Sequence, residues 1–218
     1  MIRSIPISIL EQIADKIIVG DYQSTPGLVQ QALGQGMVPQ EIIDKGLIAG
    51  MDVVGARFKA DEMFIPEVLL SAKTMHAGMA VLQSLLVEGG SGQRECVVLG
   101  TVKGDVHDIG KNLVGMMFTG GGFKVVDIGT DQPAEAFVKA SKENGARVVA
   151  MSAMLTTTMS EMKAVINALS DAGLRDSVKV LVGGAPVSEA FAQSIGADGY
   201  APDAGSAVEN LRELLRSS

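Results

Sequence analysis

One short stretch of the sequence brings together residue types that can bind a metal and tune its properties. Asp105, His107 and Gly110 form an Asp-x-His-x-x-Gly pattern, and His107 is one of two histidines in the chain. A histidine that ligates a metal usually donates its second ring N–H to a carboxylate or a carbonyl, which fixes the tautomer and raises the basicity of the ring. Asp105 can supply that carboxylate. Taken alone, the pattern also permits a structural interpretation, in which an aspartate caps a helix and His107 only makes a hydrogen bond.

The same stretch lacks the features of a nucleotide-binding loop. Gly100 and Gly104 are not followed by the Gly-Lys-Ser/Thr of a phosphate loop. The tripeptide Gly110-Lys111-Asn112 lacks the hydroxyl that would bind magnesium. Because no Gly-x-Gly-x-x-Gly follows a predicted strand, a dinucleotide site is not supported either.

The elements that must position this stretch follow from the apolar pattern after residue 90. Short apolar runs alternate there with helical stretches; the runs are Cys96–Leu99, Val125–Ile128, Val148–Met151, Val178–Val182 and Gly199–Ala201. Continuous apolar strands that alternate with helices predict a parallel sheet covered on both faces. We therefore predict a C-terminal α/β doubly wound domain with a five-stranded parallel sheet. Ligands of such sheets bind at the carboxyl ends of the strands, where the His107 loop follows the first strand.

The first half of the chain carries apolar residues at helical spacing instead. Ile5, Ile9, Ile13 and Ile17 form one row, and three further apolar segments are separated by proline and glycine. This pattern predicts an N-terminal all-α four-helix bundle. The run of glycine, serine and glutamine near residue 90 is typical of a linker. The predicted domains are residues 1–89, a linker at 90–94, and residues 95–218.

The overall composition excludes several classes of protein. The formal net charge of −7 argues against nucleic acid as a partner, because nucleic-acid binding normally requires a basic face. A single cysteine excludes an internal disulfide and a metal site built from several cysteines. The absence of an apolar run of about 20 residues and of a signal peptide predicts no membrane partner and a cytoplasmic location.

The Asp105-x-His107-x-x-Gly110 pattern resembles the signature of cobalamin-binding domains, a family related to the cobalamin domain of methionine synthase. In that family a histidine of this loop becomes the lower ligand of the cobalt. The resemblance implies a flavodoxin-like fold, cobalamin or a related corrinoid as cofactor, and His107 as the metal ligand. It also implies that Asp108 and Ile109 contact the cofactor together with Asp105, His107 and Gly110.

Three further segments resemble the family in the same order along the chain. Residues 152–159 resemble the segment that lines the buried nucleotide tail, and Thr158 occupies the place of a hydroxyl that hydrogen-bonds the aspartate. Residues 183–187 resemble a turn whose missing side chains admit the tail, and residues 196–204 resemble the last strand and the helix start. The implied cofactor contacts are Ser152, Met154, Leu155, Thr156, Thr158, Gly183, Gly184, Ala185, Tyr200, Ala201 and Asp203. Helix capping is the alternative for the threonine run and for Asp203.

The first half of the chain resembles the helical cap domain that accompanies this fold in methyl-transfer proteins. Residues 54–67 carry the most specific part of that resemblance, with Asp61 where the family usually has glycine. The resemblance implies that Met63 and Phe64 cover the upper face of the corrin at rest. The alternative for each is a place in the core of the bundle.

Over the whole chain, the resemblance is to the corrinoid proteins of methylamine, methanol, betaine and methoxy-aromatic methyltransferase systems. It implies a methyl carrier that shuttles a methyl group, via cobalt, between a substrate-specific methyltransferase and a second methyltransferase acting on a thiol or a pterin. A reductive activase is a further implied partner. We see no constellation that would activate a substrate, so we expect a carrier subunit. The alternative is a cobalamin-dependent sensor or regulatory module, which usually carries an additional DNA-binding region.

Overall fold

The computed structural model describes residues 7–89 and 95–216, which fall into a helical unit and an α/β unit. Residues 90–94, the predicted linker, lie outside the described residues. The domain boundaries stated above therefore remain a prediction.

The helical unit contains four helical segments within the described residues, as predicted. Its elements are α1 (Ile9–Val19), α2 (Thr25–Gly34), α3 (Pro39–Ile42), a π-helical stretch (Ile43–Ile48), α4 (Ala49–Lys59) and α5 (Ile65–Gly89). The third segment runs from α3 through the π-helical stretch into α4 without a break. In this unit α1 packs against α2, α4 and α5.

The sequence of α1 shows why these segments form. Ser8 and Glu11 make a reciprocal capping box at its start, and Gly20 ends it with a φ of 76°. The isoleucines at positions 9, 13 and 17 are buried, so these three members of the predicted row form the face that α1 turns to the core. Ile5, the first residue of that row, lies outside the described residues.

The α/β unit is a parallel sheet with strand order β2-β1-β3-β4-β5. Its strands are β1 (Cys96–Thr101), β2 (Lys124–Asp127), β3 (Val148–Ser152), β4 (Lys179–Gly183) and β5 (Gly199–Ala201). Its helices are α6 (Ile109–Gly120), α7 (Ala134–Asn144), α8 (Met159–Asp171), α9 (Glu189–Ile195) and α10 (Ala204–Arg216). The predicted doubly wound fold is confirmed, with strand ends that differ from the predicted ones by at most two residues.

The central strands are buried along almost their whole length, which explains their continuous apolar sequences. Val98 pairs with Val149, and Val149 pairs with Val180 across the middle of the sheet. All three valines are fully buried. The chain passes from β1 to β2 on one side and later to β3 on the other, so the strand order reverses between β1 and β3. This switch point is where such a sheet opens to a ligand at its carboxyl edge.

The described helices include none that is long and apolar enough to cross a membrane.

Candidate functional site

The Asp105 carboxylate lies at the switch point and is fully buried. Its Oδ1 accepts hydrogen bonds from His107 Nδ1 at 2.7 Å and from the His107 N–H at 3.1 Å. Its Oδ2 accepts the Met154 N–H at 2.7 Å, the Leu155 N–H at 3.3 Å and the Thr158 hydroxyl at 2.9 Å. One carboxylate therefore joins the loop after β1 to the loop after β3.

These hydrogen bonds decide the charge of Asp105. Burial alone would raise the pKa of this carboxyl group, but the hydrogen bonds from the Met154 backbone, from His107 and from Thr158 outweigh burial and hold the pKa well below its usual range. Asp105 is therefore ionised near neutral pH and can only accept hydrogen bonds.

The ionised carboxylate assigns the tautomer of His107. Because Asp105 Oδ1 only accepts, His107 Nδ1 carries the proton in this hydrogen bond, and Nε2 of the neutral ring keeps its lone pair. The side chain is 49% exposed, whereas that of Asp105 is buried. The ring is thus anchored at Nδ1, and no described residue donates to or accepts from Nε2, which is the arrangement of a single metal-ligating histidine.

The surroundings of His107 fit a metal ion that is already coordinated by a macrocyclic cofactor. The described residues include no group of three or more His, Cys, Asp or Glu side chains that could hold a metal ion. Val106 and Ile109 on either side of the histidine are 71% and 74% exposed. A Cβ on Gly110 would meet open space. One imidazole nitrogen beside exposed apolar side chains and a bare glycine suits a flat macrocycle that supplies the remaining metal ligands.

The start of α6 is held by a polar network that the sequence analysis missed. Lys111 is buried, forms an ion pair with Asp127 at the end of β2, and donates to Asn112 Oδ1 at 2.7 Å. Asn112 in turn donates to Asp108 Oδ2 at 3.2 Å. Asp127 interrupts the predicted apolar run Val125–Ile128, so an acidic residue near a strand's carboxyl end was the available signal. The Asp108 side chain thus bonds to α6 itself; its contact with a cofactor remains a prediction.

Thr158 stands at the N-cap position of α8 but does not cap it with its side chain. Its hydroxyl oxygen lies 2.9 Å from both Asp105 Oδ2 and the Leu155 carbonyl oxygen, so its one hydrogen is shared between these two acceptors, and the residue is buried. The capping interpretation is therefore wrong for Thr158. Elsewhere in this loop Thr156 is exposed, and Ser152, at the end of β3, is half-buried.

The glycines after β4 allow three strand ends to approach one another. Gly184 has a φ of 128°, and a Cβ on it would lie 1.9 Å from the Ala153 carbonyl oxygen. A Cβ on Gly183 would lie 2.9 Å from the Ala201 carbonyl oxygen. Both positions thus exclude side chains because of neighbouring backbone, and Ala185 follows them as an exposed residue. That these residues also admit a nucleotide tail remains a prediction.

Asp203 caps α10, as the structural alternative predicted. Its carboxylate accepts the Ser206 N–H at 2.7 Å and the Ser206 hydroxyl at 2.9 Å. Nearby, Ala201 is buried and Tyr200 is half-buried at the end of β5. Any contact of these three residues with a cofactor remains a prediction.

Met63 and Phe64 lie just before α5 in the helical unit and differ in exposure. Met63 is buried, whereas Phe64 is 66% exposed. The Phe64 N–H donates to Glu67 Oε2 at 2.9 Å, which fixes the start of α5. The structural alternative, a place in the core, applies to Met63 and not to Phe64.

Two family models match this chain, and both are described as a B12 binding domain. They cover residues 95–211 and residues 9–83. A dimethylamine corrinoid protein of Methanosarcina barkeri is 47% identical over 208 residues, which are 95% of this chain and 97% of that protein. A corrinoid protein of Desulfitobacterium hafniense strain Y51 is 44% identical over 212 residues, which are 96% of this chain and 98% of that protein.

Solved structures show the same similarity in three dimensions. A cobalamin-binding protein from Desulfitobacterium hafniense DCB-2 matches with a TM-score of 0.78 at 31% identity, covering 95% of this chain and 98% of that one. A chain of the methanol:cobalamin methyltransferase complex from Methanosarcina barkeri matches with a TM-score of 0.84 at 29% identity, covering 96% of this chain and 80% of that one.

Proposed function

This chain belongs to the corrinoid proteins that carry B12-binding domains, and we propose that it shuttles a methyl group from a substrate-specific methyltransferase to a second methyltransferase that acts on a thiol or a pterin. Two of its similar proteins are named as dimethylamine and trimethylamine corrinoid proteins, at 47% and 40% identity. The structural match from a methanol system is 29% identical. These identities support a methylated amine as the methyl donor. A reductive activase is a further proposed partner.

The observation that carries the proposal is the single histidine anchored on a buried, ionised aspartate. The bound corrinoid supplies a cobalt that can accept and release a methyl group. His107 Nε2 would ligate that cobalt. Asp105 holds the proton on Nδ1 and orients the ring, and Thr158 holds Asp105.

The remaining site residues are proposed to contact the cofactor at its rim and along its tail. Asp108, Ile109 and Gly110 extend from His107 into the first turn of α6. Met154 and Leu155 place partly exposed apolar side chains on the loop whose N–H groups bind Asp105. For the tail we propose Ser152, Thr156, Gly183, Gly184, Ala185, Tyr200, Ala201 and Asp203.

In the helical unit, we propose that Phe64, with Met63, shields the upper face of the corrin between transfers. The exposure of the Phe64 ring supports this role, because the free energy decreases when a large apolar side chain is removed from contact with water. The role of Met63 is to support the Phe64 backbone from the core, since its own side chain is buried.

The carrier function is tested by following a labelled methyl group. The full chain is reconstituted with [methyl-14C]methylcobalamin and mixed either with a thiol and a methylcobalamin:thiol methyltransferase, or with a tetrahydropterin and its corresponding methyltransferase. We expect label in one acceptor, dependent on the protein and on the second enzyme. Label that stays on the chain in both mixtures would contradict delivery to these acceptors.

A further inference from the structure

The loop after β2, residues 128–133, is interlocked with the loop that carries His107. Thr101 donates its N–H to the Gly129 carbonyl at 2.9 Å and accepts the Gln132 N–H at 3.0 Å. Val102 forms an isolated parallel bridge with Gln132. The end of β1 therefore stays paired beyond Asp127, the last residue of β2. The His107 loop leaves the sheet from a fixed position.

Asp131 makes the two hydrogen bonds that reach furthest into the His107 loop. Its Oδ1 accepts the Gly104 N–H at 2.7 Å, and its own N–H donates to the Asp105 carbonyl at 2.8 Å. These bonds hold backbone atoms, whereas the bonds from Met154 and Thr158 hold the Asp105 side chain. Asp105 is thus held by its side chain from the loop after β3 and by its backbone from the loop after β2.

The backbone at Asp131 is itself strained. Its φ is 54°, in the left-handed region that residues with a Cβ rarely adopt. Such conformations persist where surrounding contacts fix them, and they cluster at functional sites. At Asp131 hydrogen bonds on both the carboxylate and the N–H fix the residue, and both lead to the segment before His107.

We propose that Asp131 is a positioning residue for the cobalt ligand. By holding the Gly104–Asp105 backbone, it sets the place at which the Asp105 carboxylate meets His107 Nδ1 and so the direction in which Nε2 points. Without this hold the backbone can rotate at Gly104, whose φ is 79° and which has no side chain to restrict it. The inference rests on the proposed role of His107 as cobalt ligand.

Three substitutions separate the hydrogen bond from the backbone strain. Asp131→Asn keeps a side-chain oxygen acceptor and tolerates a positive φ. Asp131→Gly tolerates the positive φ but has no acceptor, and Asp131→Ala has no acceptor and does not readily adopt a positive φ. Asp176→Ala, on the loop between α8 and β4, is the matched control for the loss of an exposed carboxylate.

Each full-length variant is reconstituted with hydroxocobalamin, and its affinity and visible spectrum are measured beside the thermal unfolding of the apoprotein. We expect Asp131→Ala and Asp131→Gly to bind roughly tenfold more weakly, with a smaller His-ligated fraction in the bound protein. Asp131→Asn should restore both, and Asp176→Ala should match wild type. A lower unfolding temperature with an unchanged spectrum and affinity would overturn the proposal, as would an Asp131→Asn variant no better than Asp131→Ala.

Amide hydrogen exchange of the apoprotein distinguishes failure of this inference from failure of the proposed function. We expect the Gly104 N–H to exchange roughly fivefold faster in Asp131→Gly than in wild type, as for the loss of a hydrogen bond worth about 1 kcal/mol. If the wild type bound no hydroxocobalamin, the proposed function would fail and this inference with it. If the wild type bound it through His107 and the Asp131 variants matched it in spectrum and exchange, only the role of Asp131 would be overturned.

Discussion

The Asp105 carboxylate connects two loops and a histidine ring, and its hydrogen bonds favour the charged form in the folded state. Its two oxygens accept hydrogen bonds from His107, Met154, Leu155 and Thr158. None of these hydrogen-bond donors is a lysine or an arginine. In these hydrogen bonds the buried charge is therefore stabilised by backbone N–H groups, the His107 ring and the Thr158 hydroxyl. Such a group organises the site and makes the fold sensitive to its loss.

Replacing this carboxylate by its amide tests that dependence. Asp105→Asn has nearly the same shape, but its NH2 group must face either the donors from His107 or the donors from the loop after β3. Because one group of donors then loses its acceptor, we expect the free energy of unfolding of the apoprotein to fall by about 3 kcal/mol at pH 7. Urea unfolding measures the loss, with Asp176→Asn as the exposed control. A loss no larger than that of the control would show that the hydrogen bonds of Asp105 do not stabilise the fold.

The lowered pKa of Asp105 also predicts how stability changes with pH. A carboxyl group whose pKa is depressed in the folded state contributes stability that is fully present above its unfolded pKa, about 4, and is lost as the pH falls toward the folded value. As the pH falls below 5, the free energy of unfolding of the wild type should therefore decrease more than that of Asp105→Asn. The difference in the free energy of unfolding between the two proteins should become smaller. Urea unfolding of both proteins across this range checks the prediction; a gap that stays constant would contradict it.

At the scale of elements, the site depends on three strand ends that approach without side chains between them. Gly184 after β4 and Gly183 at its end lie against the backbones of Ala153 and Ala201. The loops that hold Asp105 and Thr158 are therefore fixed by close packing at the carboxyl edge of the sheet.

A methyl group at Gly184 should disturb this packing. Gly184→Ala places a Cβ 1.9 Å from the Ala153 oxygen and strains a φ of 128°, so we expect a loss of about 3 kcal/mol or more in the free energy of unfolding. Gly173→Ala is a matched control, because its φ is 69° but nothing lies within 4 Å of an added Cβ. Its loss should be only about 1 kcal/mol. Equal losses in urea unfolding would contradict a role for close strand packing.

The sheet could be predicted from the sequence because its strands are buried on both faces and are continuously apolar. The His107 loop could be predicted because its residues form a local pattern. The contributions of Asp131 and Lys111 could not be predicted, because both pairings depend on the strand order. The partner of Asp131, Gly104, lies in the loop after β1, and the partner of Lys111, Asp127, is the last residue of β2. The π-helical stretch between α3 and α4 was also missed, because its apolar residues keep a helical spacing. The loop after β2 also follows the carboxyl end of a strand, but none of its residues belongs to the Asp-x-His-x-x-Gly pattern that identified the His107 loop.

For the whole molecule, the proposed function makes the chain a methyl carrier, with substrate activation assigned to its proposed partner methyltransferase. Its similarity to corrinoid proteins extends over both B12-binding domains. The proposed division of work gives ligation to the α/β unit and shielding to the helical unit. Asp105 is buried whereas Phe64 is exposed, so a substitution of Asp105 should reduce the free energy of unfolding much more than a substitution of Phe64.

The shielding role predicts a variant that changes reactivity without changing stability. Phe64→Ala should alter the free energy of unfolding by less than about 0.5 kcal/mol, because the ring is largely in water. It should raise the rate at which methyl iodide alkylates the reduced, cofactor-loaded protein. Val19→Ala is the control, since Val19 is 67% exposed in the same helical unit. An unchanged alkylation rate in Phe64→Ala would contradict shielding by this residue.

The assignment of His107 as the cobalt ligand is tested by the visible spectrum of the chain reconstituted with hydroxocobalamin, for wild type and His107→Ala. We expect the wild type to retain about one corrinoid per chain with a His-ligated spectrum. We expect His107→Ala to bind the corrinoid more weakly by roughly tenfold or more and to lose that spectrum. His76→Ala, the other histidine of the chain, should leave both unchanged. A His107→Ala variant that keeps the wild-type spectrum and retention would contradict the assignment of His107 as the cobalt ligand.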